Sequence, residues 1–450
     1  MQAEELYGRQ LCLTPAEARE MPATTVKLPS MQVTKTLIQC CRCGSDLNRQ
    51  LAQLPAAQFY CYQCLTLGRV STLTSLYHIP EPNKFKADTT LTWTGQLTAA
   101  QATCAAELQQ HFSKREQHLL WAVTGAGKTE MLFPGIAWAL AQGWRVALAS
   151  PRVDVCLELY PRLQAAFAHL PIALLHGHNP APYQYCQLTI CTTHQLLRFR
   201  AAFDVLIIDE VDAFPFAANP RLAYAVKQAR KPESALLYLT ATPSQALLKQ
   251  VRHRTLSISY LPLRFHQHLL PPIRVSLQPR WWAQFQQGHL PTKLRRWLQQ
   301  YVTVHQRFLI FVPRITQLAV VQQVIATAFP TLKGLTVHAA DAQRLEKVQA
   351  MRTQQVQYLV TTTILERGVT FPGIDVIVLG ADDAVFSTAA LVQIAGRAGR
   401  SAQRPTGLVR MVVSHYTRPL KAAQRQIKQV NRKGRRLRAK MSTLSATTEV

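Results

Sequence analysis

From Leu97 onward, short apolar runs alternate with stretches of helical periodicity. Residues 118–123 (HLLWAV), 145–150 (RVALAS), 188–193 (LTICTT), 203–209 (FDVLIID) and 235–242 (ALLYLTAT) form one series. A second follows at 307–312 (RFLIFV), 334–340 (GLTVHAA), 358–363 (YLVTTT) and 374–380 (IDVIVLG). Runs that are apolar throughout, separated by helix-length segments, predict parallel strands covered on both faces. The pattern therefore predicts two α/β lobes, over 88–262 and 291–415. Between them, 263–290 begins in the Pro- and His-rich LPLRFHQHLLPPIRV stretch (261–275) and reads as a linker. Residues 78–90 (HIPEPNKFKADTT) read as a connector, and 1–37 as an N-terminal segment without recognisable chemistry.

At 450 residues with 48% apolar content the chain suits two or three domains. No apolar run reaches the roughly 18 to 20 residues that a membrane span needs, and the N-terminus lacks the basic-then-apolar order of a signal peptide. The sequence thus predicts a cytosolic protein. Lys and Arg number 51 against 24 acids, a formal charge of +27, which points to a polyanionic partner and first to nucleic acid. Residues 418–440 contain no acid; this part of the 416–450 tail reads either as a basic helix that grips phosphates or as a solvated extension.

Four of the ten cysteines form two C-x2-C pairs, Cys40 with Cys43 and Cys61 with Cys64, separated by seventeen residues. That spacing suits a structural zinc ion, because each turn aims two thiolates at one tetrahedral centre. It predicts a zinc module over 38–72. Cys41 leaves the first pair slightly ambiguous. Cys12, Cys104, Cys156, Cys186 and Cys191 lie among apolar residues and read as core thiols.

The chemistry clusters after the apolar runs. In AVTGAGKT (122–129), Thr124, Gly125, Ala126 and Gly127 form a loop whose backbone N–H groups can close on a phosphate at a helix N-terminus. Lys128 would reach the β and γ phosphates of ATP, and Thr129 would hold Mg²⁺. VLIIDEVDAFP (205–215) delivers Asp209, a second Mg²⁺ ligand, and Glu210, placed to polarise the attacking water. In LVQIAGRAGR (391–400), the spacing of Gln393, Arg397 and Arg400 predicts one shared helix face, with guanidinium groups aimed at the transferring phosphoryl. Two lobes closing on one nucleotide would turn hydrolysis into motion. His176, His178, His266 and His268 lack metal-ligand spacing and read as surface or packing residues. Trp281 and Trp282 read first as core packing or an interlobe contact, and second as a base-stacking pair.

The ordered set LTAAQ, AVTGAGKT, ASPRVDV, TTHQLL, DEVD, TAT, FLIFVPRI, TTTILERGVTFPGIDVIVLG and QIAGRAGR resembles superfamily 2 helicases and translocases over residues 90–413. The resemblance implies two RecA-like parallel-sheet lobes. It implies that Gln101 contacts adenine, that Thr240 and Thr242 couple nucleotide state to nucleic acid, and that Gly368 lies near the γ phosphate. It further implies that Pro151, Arg152, Thr193, His194, Arg314 and Thr362 hold the sugar-phosphate backbone. The cysteine module with CYQCLTLGR, followed by WAVTGAGKTEMLFPGI, DEVDAFPF and TTTILERGVTFP, resembles the late-competence ComFA family. That resemblance implies an ATPase driving incoming single-stranded DNA through a membrane channel, with a ComFC-like phosphoribosyltransferase-fold protein among its partners and further copies of the chain as another. DEVD departs from the DEAD and DEAH forms, so RNA unwinding does not follow. The alternatives are a PriA-like restart helicase and a DNA-binding scaffold with weak ATPase. PriA carries its cysteines inside the second lobe, whereas here they precede the first. The intact Lys128, Asp209, Glu210, Arg397 and Arg400 speak against the scaffold.

Overall fold

A computed structural model of the chain describes residues 2–87, 91–177, 182–401 and 403–447, of which 442–447 by backbone alone. His178 lies outside the described residues. The chain divides into two compact units, Met1–Trp121 with Lys128–Tyr260, and Ala122–Gly127 with Leu261–Val450.

The first unit is built on a seven-stranded sheet in the order Ile172–Leu175, Leu188–Thr192, Val146–Ser150, Phe203–Ile208, Arg230–Thr240, Gln117–Ala122 and Ser257–Leu261. The first six pair in parallel. Every residue of Val146–Ser150, Leu188–Thr192 and Phe203–Ile208 is buried, as continuous apolar runs require. The strand predicted from 235 begins at Arg230. Its polar start is held by Arg230, which donates to Ser234, and by Lys231, paired with Asp204 at 2.9 Å. The two edge strands, apolar Ile172–Leu175 and mixed Ser257–Leu261, lie outside the predicted runs. One of them, Ser257–Leu261, alternates serine with larger residues because Ser257 and Ser259 bond the two ring nitrogens of buried His118, at 2.7 and 2.8 Å.

The N-terminal region is more integrated than the sequence predicts. Strands Leu11–Leu13 and Val26–Pro29 flank Ser75–His78 in an antiparallel sheet, so residues 1–37 fold with the segment beyond the cysteines. Cys40, Cys43, Phe59, Cys61, Cys64 and Val70 share one buried core with Phe199, Phe203, Leu222 and Ala225 of the first unit.

The second unit holds a six-stranded parallel sheet, ordered Ile273–Leu277, Val409–Val413, Asp375–Leu379, Phe308–Phe311, Tyr358–Thr361 and Gly334–Val337. The stretch 263–290 is not a linker. It contains the edge strand Ile273–Leu277 and helix Trp281–Gln286, and its prolines only punctuate the approach to them. Trp281 is buried in the core of this unit, which settles its use as packing. Val409–Val413 was masked in the pattern by Arg410, whose guanidinium lies 4.6 Å over the Trp297 ring and so enters the fold with its charge accommodated. The C-terminal basic stretch forms one long helix, Arg418–Thr447. Among the described residues no helix is long and apolar enough to cross a membrane.

Candidate active site and metal centre

In a parallel sheet all strands end at one edge, and loops there gather side chains from distant parts of the sequence. In the first unit, Pro151 and Arg152 follow strand Val146–Ser150, Thr193 and His194 follow Leu188–Thr192, Asp209 and Glu210 follow Phe203–Ile208, and Thr242 follows Arg230–Thr240. Lys128 opens helix Lys128–Ala141 directly after the loop, with Thr129 buried beside it. Gly125 and Gly127 have φ of +82° and +75°, the left-handed values that let successive N–H groups converge on an anion. Gln101 is buried and closes a capping box with Thr98, accepting from the Thr98 N–H at 2.9 Å.

The acidic turn is tightly organised. The Asp209 N–H donates to Ala149 O at 2.8 Å, and Asp209 Oδ1 accepts from the Glu210 N–H at 2.8 Å. Glu210 takes φ +56°, turning the chain sharply away from the strand. Asp212, which the sequence did not single out, accepts from Thr240 Oγ1 at 2.6 Å and from Thr242 Oγ1. Both threonines of TAT are thus bonded to the last acid of DEVD.

In the second unit, Arg314 follows strand Phe308–Phe311 and Thr362 follows Tyr358–Thr361, so both sit at the same sheet edge. Arg314 is largely exposed, 3.9 Å from Asp383. Gly368 has φ +69°. The predicted shared helix face fails at its C-terminus. Helix Thr388–Ala395 stops with Gly396 as its cap, leaving Arg397 and Arg400 in the following turn. The turn is held by Gly399 (φ +78°), whose N–H donates to Ile374 O at 2.9 Å, and a Cβ on Gly399 would lie 2.5 Å from Pro405 O. Arg397 is buried and donates through Nε to Glu366 O at 2.8 Å. By compactness the loop residues Ala122–Gly127 belong to this unit, and Thr124 Oγ1 donates to Gln393 Oε1 at 3.2 Å. Buried Arg264 was missed by sequence reasoning. Its guanidinium donates to Ala398 O at 2.9 Å and Gly396 O at 3.0 Å, holding the turn that carries Arg397. Burial lowers its pKa to about 10. A single Arg between Leu263 and Phe265 gives no sequence signal of that role.

The four predicted cysteines converge. Their sulfurs all lie within 4.8 Å of one another, with Cys40 to Cys64 at 3.9 Å and Cys43 to Cys61 at 3.7 Å. Thiolates about 2.3 Å from a zinc ion at the corners of a tetrahedron would stand about 3.8 Å apart. The donor set therefore fits a closed four-sulfur metal site. Cys41 is not part of the cluster; its N–H donates to Ser30 O and its carbonyl accepts from Tyr224 Oη. Arg42, between the ligands of the first pair, ties the second turn by donating to Cys64 O, Leu67 O and Gly68 O.

Residues 5–78 match the competence protein ComFA N-terminal domain, 94–245 the type III restriction enzyme res subunit, and 292–402 the helicase conserved C-terminal domain. The chain is 41% identical over 413 residues to the competence protein ComFA of Bacillus subtilis strain 168, covering 89% of this chain and 87% of that one. The chain belongs to the ComFA family. A second ComFA, from Streptococcus pneumoniae R6, is 40% identical over 410 residues, covering 90% of this chain and 93% of its own length. In fold, this ComFA-family chain is similar to Mycobacterium smegmatis helicase Lhr, solved with ssDNA and AMP-PNP. The TM-score is 0.57 at 17% identity, over 76% of this chain and half of Lhr. The two sheets are RecA-like lobes, and the ComFA-family chain is an ATP-binding, superfamily 2 helicase-type ATPase with a four-cysteine group in its N-terminal region.

Proposed function

We propose that the protein is an ATP-dependent translocase that draws single-stranded DNA into the cytosol during transformation. The observation that carries this reading is the bonding of Thr240 and Thr242 to Asp212, three residues after Asp209. A change at the acids that handle ATP then moves the threonines that respond to nucleic acid, through two short hydrogen bonds. In this reading Lys128 holds the β and γ phosphates, and Thr129 and Asp209 hold Mg²⁺. Glu210 polarises water, and Gln393, Arg397 and Arg400 neutralise the transferring phosphoryl. Gln101 reads adenine, with Gly368 near the γ phosphate. Pro151, Arg152, Thr193, His194, Arg314 and Thr362 hold the strand. Cys40, Cys43, Cys61 and Cys64 bind zinc structurally, because four thiolates leave no coordination position for water. The protein works in the cytoplasm at the inner face of a membrane channel, with a ComFC-like protein and further copies of the chain as partners.

The test is ATP turnover by the purified chain without nucleic acid and then with single-stranded DNA, duplex DNA or RNA at one salt concentration. Stimulation by single-stranded DNA above the others is expected, with Lys128→Ala lowering stimulated turnover about 100-fold or more. Equal stimulation by RNA, or a preference for forked duplex, would replace this reading with a general or replication-restart helicase.

A further inference from the structure

The long helix Arg418–Thr447 has two faces of opposite character. On one, Leu420, Ala423, Ile427 and Val430 are buried at spacings of three and four residues, the seam of a helix docked along its length. The docking is specific. Asn431 exchanges hydrogen bonds with the Leu270 backbone at 2.9 and 3.0 Å, and Gln424 donates to Ile273 O at 3.3 Å. Gly434 lets the helix approach so closely that a Cβ there would lie 2.9 Å from Leu269 and 3.1 Å from Pro262 O. At its start, Pro419 O accepts from Thr388, the first residue of the helix that carries Gln393.

On the opposite face, Arg418, Lys421, Arg425, Lys428, Arg432 and Arg435 recur at steps of three and four and are all exposed. Such a row runs straight along a helix for about 26 Å, one cation every 5 Å or so. Among the described residues none of the six has an acidic partner. Like charges aligned in this way repel, and tolerating them on a helix anchored by Asn431 and Gly434 makes sense where a polyanion covers them. The face carries no aromatic residue and no exposed large aliphatic one, so it lacks the wedge by which amphipathic helices enter a lipid interface.

We infer that this stripe is a further phosphate-backbone track for single-stranded DNA, extending the strand's path along the second lobe independently of base identity. The inference rests on the proposed DNA motor function. The test uses the full chain and compares wild type with the combined Lys421→Gln, Arg425→Gln, Lys428→Gln and Arg432→Gln variant. Because Gln has a helix propensity close to that of Lys and Arg, an unchanged thermal melt is expected. Single-stranded oligonucleotide binding is measured against salt. Wild type should show a steep slope of log K on log salt, and the variant a slope flatter by roughly 2 to 3 with binding about tenfold or more weaker. A charge-keeping variant, Lys421→Arg, Arg425→Lys, Lys428→Arg and Arg432→Lys, should match wild type. A neutralised variant with the wild-type slope would overturn the track while leaving the motor reading intact. Loss of binding to phosphatidylglycerol vesicles with an unchanged DNA slope would overturn it in favour of a membrane surface. Wild type that fails to bind single-stranded DNA at all would overturn the motor reading, and the track with it.

Discussion

Within the first unit, the four-cysteine module and the parallel sheet reach order by different means. The sheet's central strands are five or six residues long and wholly buried. The module's strands are only two or three residues long, Met31–Val33, Ile38–Cys40, Gln53–Leu54 and Gln58–Phe59. Such strands bury too little to fold alone, so the module leans on the sulfur cluster, on Arg42 across the two turns, and on the core it shares with Leu222 and Ala225. Burial orders the sheet, whereas the module combines a cluster of four sulfurs with borrowed core.

The largest way to break this contrast is to remove the metal. Structural zinc is worth on the order of 10–16 kcal/mol in small modules, so chelation, or replacing Cys61 and Cys64 by Ser, should abolish order in the module. Metal analysis of the purified chain should return one zinc, and limited proteolysis should cut between residues 30 and 72 only after chelation. A module equally resistant with and without metal would show that the shared core suffices.

A smaller effect is expected at Arg145, which joins the N-terminal region to the sheet. Its guanidinium is fully buried, paired with Glu81 at 2.5 Å and donating to Tyr7 O at 2.9 Å and Tyr183 Oη at 2.6 Å. Arg145→Ala would strand Glu81 without its charge partner, so urea unfolding should show a loss of about 3–5 kcal/mol. A loss below 1 kcal/mol would mean that the N-terminal region is held by the module alone.

The smallest effect lies in the sheet itself. Burial holds the pKa of His118 down at about 3, with the neighbouring His111 adding to the shift. A His whose folded pKa lies below its unfolded value stabilises the fold when neutral, and that contribution is lost as pH falls from about 6.5 towards 3. Stability should drop by about 2 kcal/mol between pH 7 and pH 5. His118→Gln should flatten that dependence in urea titrations at the two pH values, and an unchanged slope would reassign it to other groups.

Much of the site was legible because its chemistry is local. The loop at 122–129, the acids after Phe203–Ile208 and the two cysteine turns each need a few residue types at short spacing, and apolar runs set the first two at strand ends. Asp212 and Arg264 were not legible, since their partners Thr240, Thr242, Gly396 and Ala398 lie about 28 to 134 residues away in sequence. The helix predicted to carry Gln393, Arg397 and Arg400 on one face ends at Ala395 with Gly396 as its cap, and Gly399 then turns the chain back onto Ile374. The strand at 273–277 was hidden by prolines and that at 409–413 by Arg410, whose guanidinium lies over the Trp297 and Tyr301 rings and donates to Gln300 Oε1.

The amino-acid sequence by itself determined the two α/β lobes, the glycine-containing loop at 122–129 and the pairing of four thiols. Apolar period, glycine conformation and ligand spacing are properties of short segments. Tertiary structure alone decided that residues 1–37 fold beside the cysteine module, that Asp212 binds both threonines, and that the basic C-terminal stretch is a docked helix with its cations in a row. Each of these depends on which distant segment supplies the opposing surface, and no local pattern carries that information.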